Sequence, residues 1–95
     1  MATVMQMHWP EVTREQYEAA RREVNWEGDV PKGAKFHVSW FAEDGLHVLD
    51  LWDSPADFQN FAATRLQEGV AKIGIQGEPK VTFNDAHAIF APNPA

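Results

Sequence analysis

Residues 49–61 read Leu-Asp-Leu-Trp-Asp-Ser-Pro-Ala-Asp-Phe-Gln-Asn-Phe, a stretch in which an alternating strand pattern becomes a helical one. Ser54 stands where a helix would begin, because its hydroxyl can accept a hydrogen bond from a backbone amide of the first turn. Pro55 follows at the first helical position, where the missing N–H would have no partner. Asp50 and Trp52 are two residues apart and therefore project from the same face of the strand. The stretch predicts a strand with a carboxylate and an indole on one face, followed directly by an amphipathic helix.

A strand and a helix are also predicted upstream of this stretch. Residues 2–9 alternate weakly and favour a first strand. Thr13 and Gln16 form the pattern of a capping box, in which each side chain accepts a hydrogen bond from the other residue's backbone N–H. Apolar residues then keep helical spacing to about Asn25. A first helix is therefore predicted between the first two strands.

The remaining elements follow from turn signals and from the aromatic content. Residues 36–41 form a strongly β-prone run, and Asp44-Gly45 is typical of a tight hairpin turn before a third strand over 46–53. The helix that begins at Ser54 is predicted to end at Gly74. The last strand is predicted over 81–90.

The predicted order βαββαβ is that of a ferredoxin-like α+β sandwich, with a four-stranded antiparallel sheet and two helices on one face. The second strand carries large side chains at both parities, and Trp52 adds another on the third strand. An uncovered apolar sheet face of this kind predicts a partner. The large side chains of the second strand are Phe36, Val38 and Trp40 at one parity and His37 and Phe41 at the other, where Ser39 lies between them.

Length and composition favour one small domain that associates with a second copy. The chain has 95 residues, and we expect a single domain over residues 1–91 with a tail over 92–95. It has no cysteine, so disulfides cannot supplement a modest core, and association is the remaining way to stabilise it. Four Trp, six Phe and one Tyr are more than one covered sheet face hides easily, so some should line a pocket or an interface.

The charge of the chain argues against two classes of partner. The formal net charge is −6, and no basic cluster is longer than Arg21-Arg22, so we expect neither nucleic acid nor an anionic membrane as a partner. The first residues lack the cationic start and apolar run of a signal peptide, and no stretch approaches the roughly 20 apolar residues of a membrane span. We expect a cytoplasmic protein.

The third strand and the second helix together resemble a known family. A strand that ends in an acidic residue and Trp, then Asp-Ser, then a helix with Phe58-x-x-Phe61, on a βαββαβ chain of this length, resembles the dimeric α+β barrel superfamily. Within it, the chain is similar to the antibiotic-biosynthesis-monooxygenase-like proteins, which are small cofactor-free oxygenases and their relatives. The resemblance implies a homodimer with sheet packed on sheet, and a pocket in each protomer between helices and sheet or within the barrel. It places Asp50, Trp52 and Phe61 at that pocket.

We expect no cofactor. One subgroup of the family degrades heme, and resemblance to it would imply an axial histidine in the second half of helix two. Residues 66–72 contain no histidine, and the strand-one asparagine of that subgroup has only Gln6 as its nearest substitute. Nor does the chain contain cysteine or a His-x-His or His-x-x-x-His pair, so no metal site is expected either.

Asp50 interrupts an apolar strand, and its carboxylate is costly to bury unless it meets a hydrogen-bond donor or is protonated. His37 or His87 could supply that donor, whereas His47 lies on the opposite face of the third strand. A histidine held by a carboxylate is a usable general base. An extra residue at Asn84-Asp85 would bulge the last strand and turn His87 away. Asp50 could instead be solvated or make a buried structural hydrogen bond to a neighbouring strand. The histidines, including His8, could lie at the surface or make purely structural hydrogen bonds.

The leading hypothesis is a homodimeric barrel that binds a small hydrophobic or aromatic molecule. It would act as a cofactor-independent monooxygenase, or a related cyclase or isomerase, on an aromatic or polyketide-like substrate. A histidine would take a proton from a phenol or carbon acid, and the resulting anion would itself reduce dioxygen. The alternative is a non-catalytic ligand-binding or dimerisation module. The candidate catalytic residues are His37, His87 and Asp50. The candidate substrate-binding residues are Trp52, Trp40, Gln6, Phe61 and Phe83.

Overall fold

The computed structural model describes residues 2–92, so residues 93–95 of the predicted tail lie outside the described residues. Four antiparallel strands form one open sheet in the order β2-β3-β1-β4, with the helices on one face. This confirms the predicted ferredoxin-like α+β sandwich. The elements are β1 (Thr3–Trp9), α1 (Arg14–Val24), β2 (Ala34–Ala42), β3 (Gly45–Trp52), α2 (Pro55–Phe61), a π-helical segment (Ala62–Leu66), α3 (Gln67–Ile73) and β4 (Lys80–Asp85).

Local capping determines where α1 and α2 begin, as the sequence predicted. Thr13 Oγ1 accepts from the backbone N–H of Gln16 at 3.1 Å, and Gln16 Oε1 accepts from the backbone N–H of Thr13 at 3.0 Å. Ser54 Oγ accepts from the backbone N–H of Asp57 at 3.2 Å, with Pro55 at the start of α2. Within residues 2–92, no helix is long and apolar enough to cross a bilayer.

The second predicted helix is continuous to its left-handed cap at Gly74, but it contains a π-helical turn over residues 62–66. A π turn holds one more residue than an α turn, so side chains five apart come to the same side. Phe61 and Leu66 accordingly both face the space between the helices and the sheet. Their spacing departs from the regular stripe expected for an α-helix.

The two faces of the sheet differ in what covers them. On the helix-covered face lie the core residues of β1 and β3, Met5, Met7, Trp9, Leu46, Val48 and Trp52. The open face carries Phe36, Val38 and Trp40 of β2, which are 40 to 48% exposed. The expectation that Trp52 belongs to the uncovered patch is wrong. Its strand neighbour across the sheet is Thr3, and its ring is buried against Phe58 and Phe61 of α2.

The last strand is shorter than predicted. Lys80 lies opposite His8 and Asp85 lies opposite Thr3, with no break in register between them, so β4 has no bulge at Asn84-Asp85, which the sequence had left open. β4 ends where its neighbour β1 begins, because no strand residue remains to pair with. His87 therefore follows the strand and is exposed, rather than lying within it. The register irregularity of the sheet is instead in β2, between Ala34 and Phe36.

Candidate functional site

A cavity of about 260 Å³ lies between the sheet and the helices. Its wall comes from α1, the loop before β2, β2, β3 and the last part of the long helix. The lining is almost entirely apolar, and its aliphatic part includes Leu46, Val48 and Val70. His37 is one of the few polar groups on the wall. The aromatic side chains of the wall are Trp9, Tyr17, Trp26, Trp52 and Phe61.

Asp50 lies behind the wall and is held by two donors. His37 of β2 is directly opposite Asp50 of β3, and His37 Nδ1 is 2.7 Å from Asp50 Oδ1. Trp52 Nε1 donates to Asp50 Oδ2 at 2.9 Å. Asp50 is only 6% exposed, yet each of its carboxylate oxygens has a partner. These bonds offset the cost of taking the carboxylate out of water, and they fix the orientation of both rings.

Tyr17 of α1 closes the network on the cavity side. Its hydroxyl is 2.7 Å from His37 Nε2, and Ser39 Oγ donates to the Tyr17 hydroxyl at 2.9 Å. With the Ser39 proton directed at Tyr17, the Tyr17 proton is free to point at His37 Nε2. A carboxylate only accepts, so Nδ1–H of His37 points at Asp50. Donation therefore runs from Ser39 to Tyr17, from Tyr17 to His37, and from His37 to the accepting carboxylate of Asp50.

The environment keeps Tyr17 in its neutral form. Burial raises the pKa of the Tyr17 hydroxyl above its usual 10.0, against the opposing effects of the Ser39 hydrogen bond and the Arg21 charge. A buried phenolate would lose its hydration, so the neutral phenol is favoured. At neutral pH the Tyr17 hydroxyl is therefore a hydrogen-bond donor at the wall of the cavity.

Trp26, in the loop after α1, completes the surroundings of the imidazole. Its ring centroid is 5.5 Å from that of His37 and 5.8 Å from that of Tyr17. Neither Trp26 nor Tyr17 is marked as a site residue by its place in the sequence. Tyr17 keeps helical spacing with the core residues of α1, and only its polar hydroxyl could have marked it. Trp26 lies between two elements and carries no comparable signal.

The structure brings some of the predicted residues together and separates the others. His37, Trp52 and Phe61 line the cavity. Asp50 lies behind the wall and accepts hydrogen bonds from His37 and Trp52. The other predicted residues do not line this cavity. Trp40 and Gln6 lie on the open face, Phe83 packs against Phe58 with ring centroids 5.8 Å apart, and His87 is exposed after β4.

No protein-family model matches the chain, and no curated protein matches its sequence. Solved structures do match. SnoaB, a cofactor-independent oxygenase from Streptomyces nogalater, is 11% identical over 97% of both chains, with a TM-score of 0.64. A proposed antibiotic biosynthesis monooxygenase from Caulobacter crescentus is 16% identical over 92% of this chain and 89% of that one, with a TM-score of 0.62. A dimeric ferredoxin-like protein of unknown function from Thermobifida fusca is 11% identical over 90% of this chain and 92% of that one, with a TM-score of 0.64.

These matches confirm the predicted resemblance at the level of the fold. The chain has the ferredoxin-like fold of the antibiotic-biosynthesis-monooxygenase-like proteins.

Proposed function

We propose that the protein binds a small, flat, largely apolar molecule in the cavity, and that His37 takes a proton from it. The reaction would be a cofactor-independent oxygenation of an aromatic or polyketide-like substrate. The observation that carries the proposal is the hydrogen-bonded chain of Asp50, His37 and Tyr17 at the wall of an aromatic cavity. An oriented imidazole beside apolar space is what proton abstraction from an apolar acid requires.

The size and lining of the cavity support a compact aromatic ligand. Small-molecule sites usually occupy about 300–1,000 Å³, and a cavity of about 260 Å³ lies just below that range. Flat rings stack favourably on indole and phenyl faces, which the walls supply through Trp9, Trp26 and Phe61.

The network gives each residue a part in the proton transfer. Asp50 orients His37 and stabilises the imidazolium that forms when Nε2 accepts a proton. Tyr17 occupies Nε2 before the ligand binds, so an acidic hydroxyl of the substrate would replace it there. The neutral Tyr17 hydroxyl could then donate to the oxygen on which negative charge develops.

Oxygen chemistry would follow from the substrate anion alone. The anion transfers one electron to dioxygen, giving a substrate radical and superoxide, and the two combine into a carbon-bound peroxide. The peroxide takes back the proton that His37 had accepted. Loss of water from this hydroperoxide then converts a CH₂ group of the substrate, such as that of an anthrone, to a carbonyl, with one oxygen atom in the product and the other in water. The substrate supplies all the electrons, so the step needs no further reductant. SnoaB, which is called a cofactor-independent oxygenase, supports this only as a protein of the same fold.

Oxygen uptake with an anthrone or a quinol tests the proposal and compares the two candidate bases. His37→Gln should lower the rate about 100-fold or more, since general bases typically contribute at least that factor. His87→Gln should leave the rate near that of the unchanged protein, because His87 is exposed beyond β4. Uptake that survives His37→Gln would refute the assignment of His37 as the base.

One observation favours the alternative, a non-catalytic binding module. The polar groups of the site satisfy one another, and among residues 2–92 no buried side-chain nitrogen or oxygen lacks a partner. In that case aromatic compounds should quench tryptophan fluorescence, and less so in Trp52→Phe, while no oxygen is consumed. Quenching together with His37-dependent uptake would instead support the oxygenase.

A further inference from the structure

A second group of polar side chains lies on the open face of the sheet, outside the cavity. His8 of β1 is directly opposite His47 of β3, and their rings are stacked with centroids 4.5 Å apart and planes 9° apart. Both Nε2 atoms point at Asp44 in the β2–β3 turn. His47 Nε2 is 2.7 Å from Asp44 Oδ1, and His8 Nε2 is 2.8 Å from the Asp44 backbone oxygen and 3.5 Å from Oδ2.

Strand pairing, rather than sequence spacing, brings these three residues together. Opposite residues on antiparallel neighbours have Cβ atoms about 4.5–5.5 Å apart, so His8 and His47 are adjacent although 39 positions separate them in the chain. The hairpin turn then places Asp44 at the ends of both rings. For this reason no closely spaced pair of histidines in the sequence marks the ligand set.

We propose that His8, Asp44 and His47 bind a divalent transition-metal ion such as Zn²⁺ or Cu²⁺. One ligand atom from each residue lies within 4.8 Å of the others. A tetrahedral ion with bonds of about 2.0–2.2 Å needs ligand atoms about 3.4 Å apart, so modest side-chain rotations would close the site. Two imidazole nitrogens and a carboxylate oxygen suit these ions, whereas Mg²⁺ and Ca²⁺ prefer oxygen ligands alone.

The present hydrogen bonds show what binding would change. Both Nε2 atoms face oxygens that accept, so each ring carries its proton on Nε2. An ion needs the Nε2 lone pairs, so the ring protons would move to Nδ1 or leave. In the single chain the side chains of His8 and His47 are 32 and 25% exposed, and that of Asp44, in the turn at the end of the sheet, is 60% exposed, so water can fill the remaining positions of the ion.

Calorimetric titration of the tag-free protein with ZnCl₂ and with CuCl₂ tests the site. We expect one ion per chain and at least about tenfold weaker binding in His8→Gln and in His47→Gln. His87→Gln, which removes an exposed histidine outside the group, should bind as the unchanged protein does. Circular dichroism checks that each variant is folded. Equal binding in all variants, or no saturable binding by the unchanged protein, would overturn the proposal.

Spectroscopy separates this group from any other copper site. The electron paramagnetic resonance spectrum of the Cu²⁺ form should show two nitrogen donors, and one in each of the two ligand variants. Trp40 stacks on His47 with ring centroids 5.3 Å apart, so bound Cu²⁺ should quench its fluorescence. Trp40→Phe should remove most of that quenching without weakening binding. A spectrum unchanged by His47→Gln would place the ion elsewhere and refute the site.

Discussion

At the scale of single residues, Asp50 determines how the polar groups at the cavity wall are oriented. It receives the His37 ring on one oxygen and the Trp52 indole on the other, and both donors belong to side chains that line the cavity. The sequence indicated that an inward Asp50 must meet a donor or be protonated, and left His37 and His87 as candidate donors. It could not show that His37 would be the donor, because that depends on the register between β2 and β3.

Replacing Asp50 by asparagine should destabilise the fold. An amide offers one oxygen to two N–H donors, and its own NH₂ group would face the other donor. We expect Asp50→Asn to lower the free energy of unfolding by about 1–3 kcal/mol, measured by urea denaturation. Asp53→Asn is the matched control, since Asp53 forms an exposed ion pair with Lys35, and its effect should stay within about 0.5 kcal/mol. Equal effects of the two changes would contradict the role given to Asp50.

Tyr17 should titrate at higher pH than a free tyrosine. It is the single tyrosine of the chain, so phenolate absorbance in the near ultraviolet reports this group alone. Because burial raises the pKa of Tyr17, its absorbance should rise only above about pH 10 in the folded protein. An unfolded chain loses the proton first, so the stability that Tyr17 contributes is present below about pH 10 and is lost as the pH rises further.

The alkaline loss of stability has its own control. Tyr17→Phe has no proton to lose at that position, so its free energy of unfolding should fall less steeply above about pH 10 than that of the unchanged protein. A phenolate midpoint at or below 10 in the folded protein would show that Tyr17 is not buried as described.

At the scale of the elements, the sequence predicted what depends on local chemistry. Thr13 and Ser54 marked the starts of α1 and α2, and Asp44-Gly45 marked the hairpin, because caps and turns act through residues a few positions away. The end of β4 depends on where β1 begins, a contact distant in the chain. The π turn over residues 62–66 has no comparable local signal. These two features were therefore not predictable from their own residues.

Substitution of Gly45 in the β2–β3 turn should lower the free energy of unfolding more than substitution of Gly74 at the end of α3. Both glycines have positive φ, at 108° and 85°, which costs other residues about 1 kcal/mol. A side chain at Gly45 would also meet the Pro10 backbone at 2.5 Å, whereas nothing lies within 4 Å at Gly74. Gly74→Ala should therefore cost about 1 kcal/mol in urea denaturation, and Gly45→Ala about 1–3 kcal/mol more.

Comparing two glycine positions separates the clash from the backbone effect. If Gly45→Ala and Gly74→Ala had the same effect on the free energy of unfolding, contact with Pro10 would not contribute. A larger effect at Gly74 would contradict the turn geometry altogether.

At the scale of the whole molecule, the open face is the feature that calls for a partner. Phe36, Val38 and Trp40 remain substantially exposed on one strand, and helices cover only the opposite face. An uncovered apolar face on a small domain without disulfides makes a second copy the occupant that we propose. Composition predicted only a need for association, since the number of aromatic residues does not say which face they occupy. Trp52 is an example, because it was expected on the uncovered face and is buried under α2.

A charge on the open face should separate the proposed dimer. We expect sedimentation equilibrium to show a dimer for the unchanged protein, and Val38→Lys to weaken association at least about tenfold, because an ammonium group would be buried without a partner. Ala63→Lys, at an exposed position of the helical layer, should leave the dimer intact. A monomer under all conditions, or a dimer that tolerates Val38→Lys, would refute the sheet-to-sheet assembly.

The Tyr17 to His37 bond joins a helix to the sheet, since the phenol comes from α1 and the ring from β2. A ligand that forms a hydrogen bond with His37 Nε2 must therefore break one hydrogen bond between the helices and the sheet. The first helix would report occupancy through faster amide hydrogen exchange, even though nothing else about the strands beneath it need change. In this small protein, the hydrogen bond that holds α1 to the sheet is therefore also the one that occupies the proposed base.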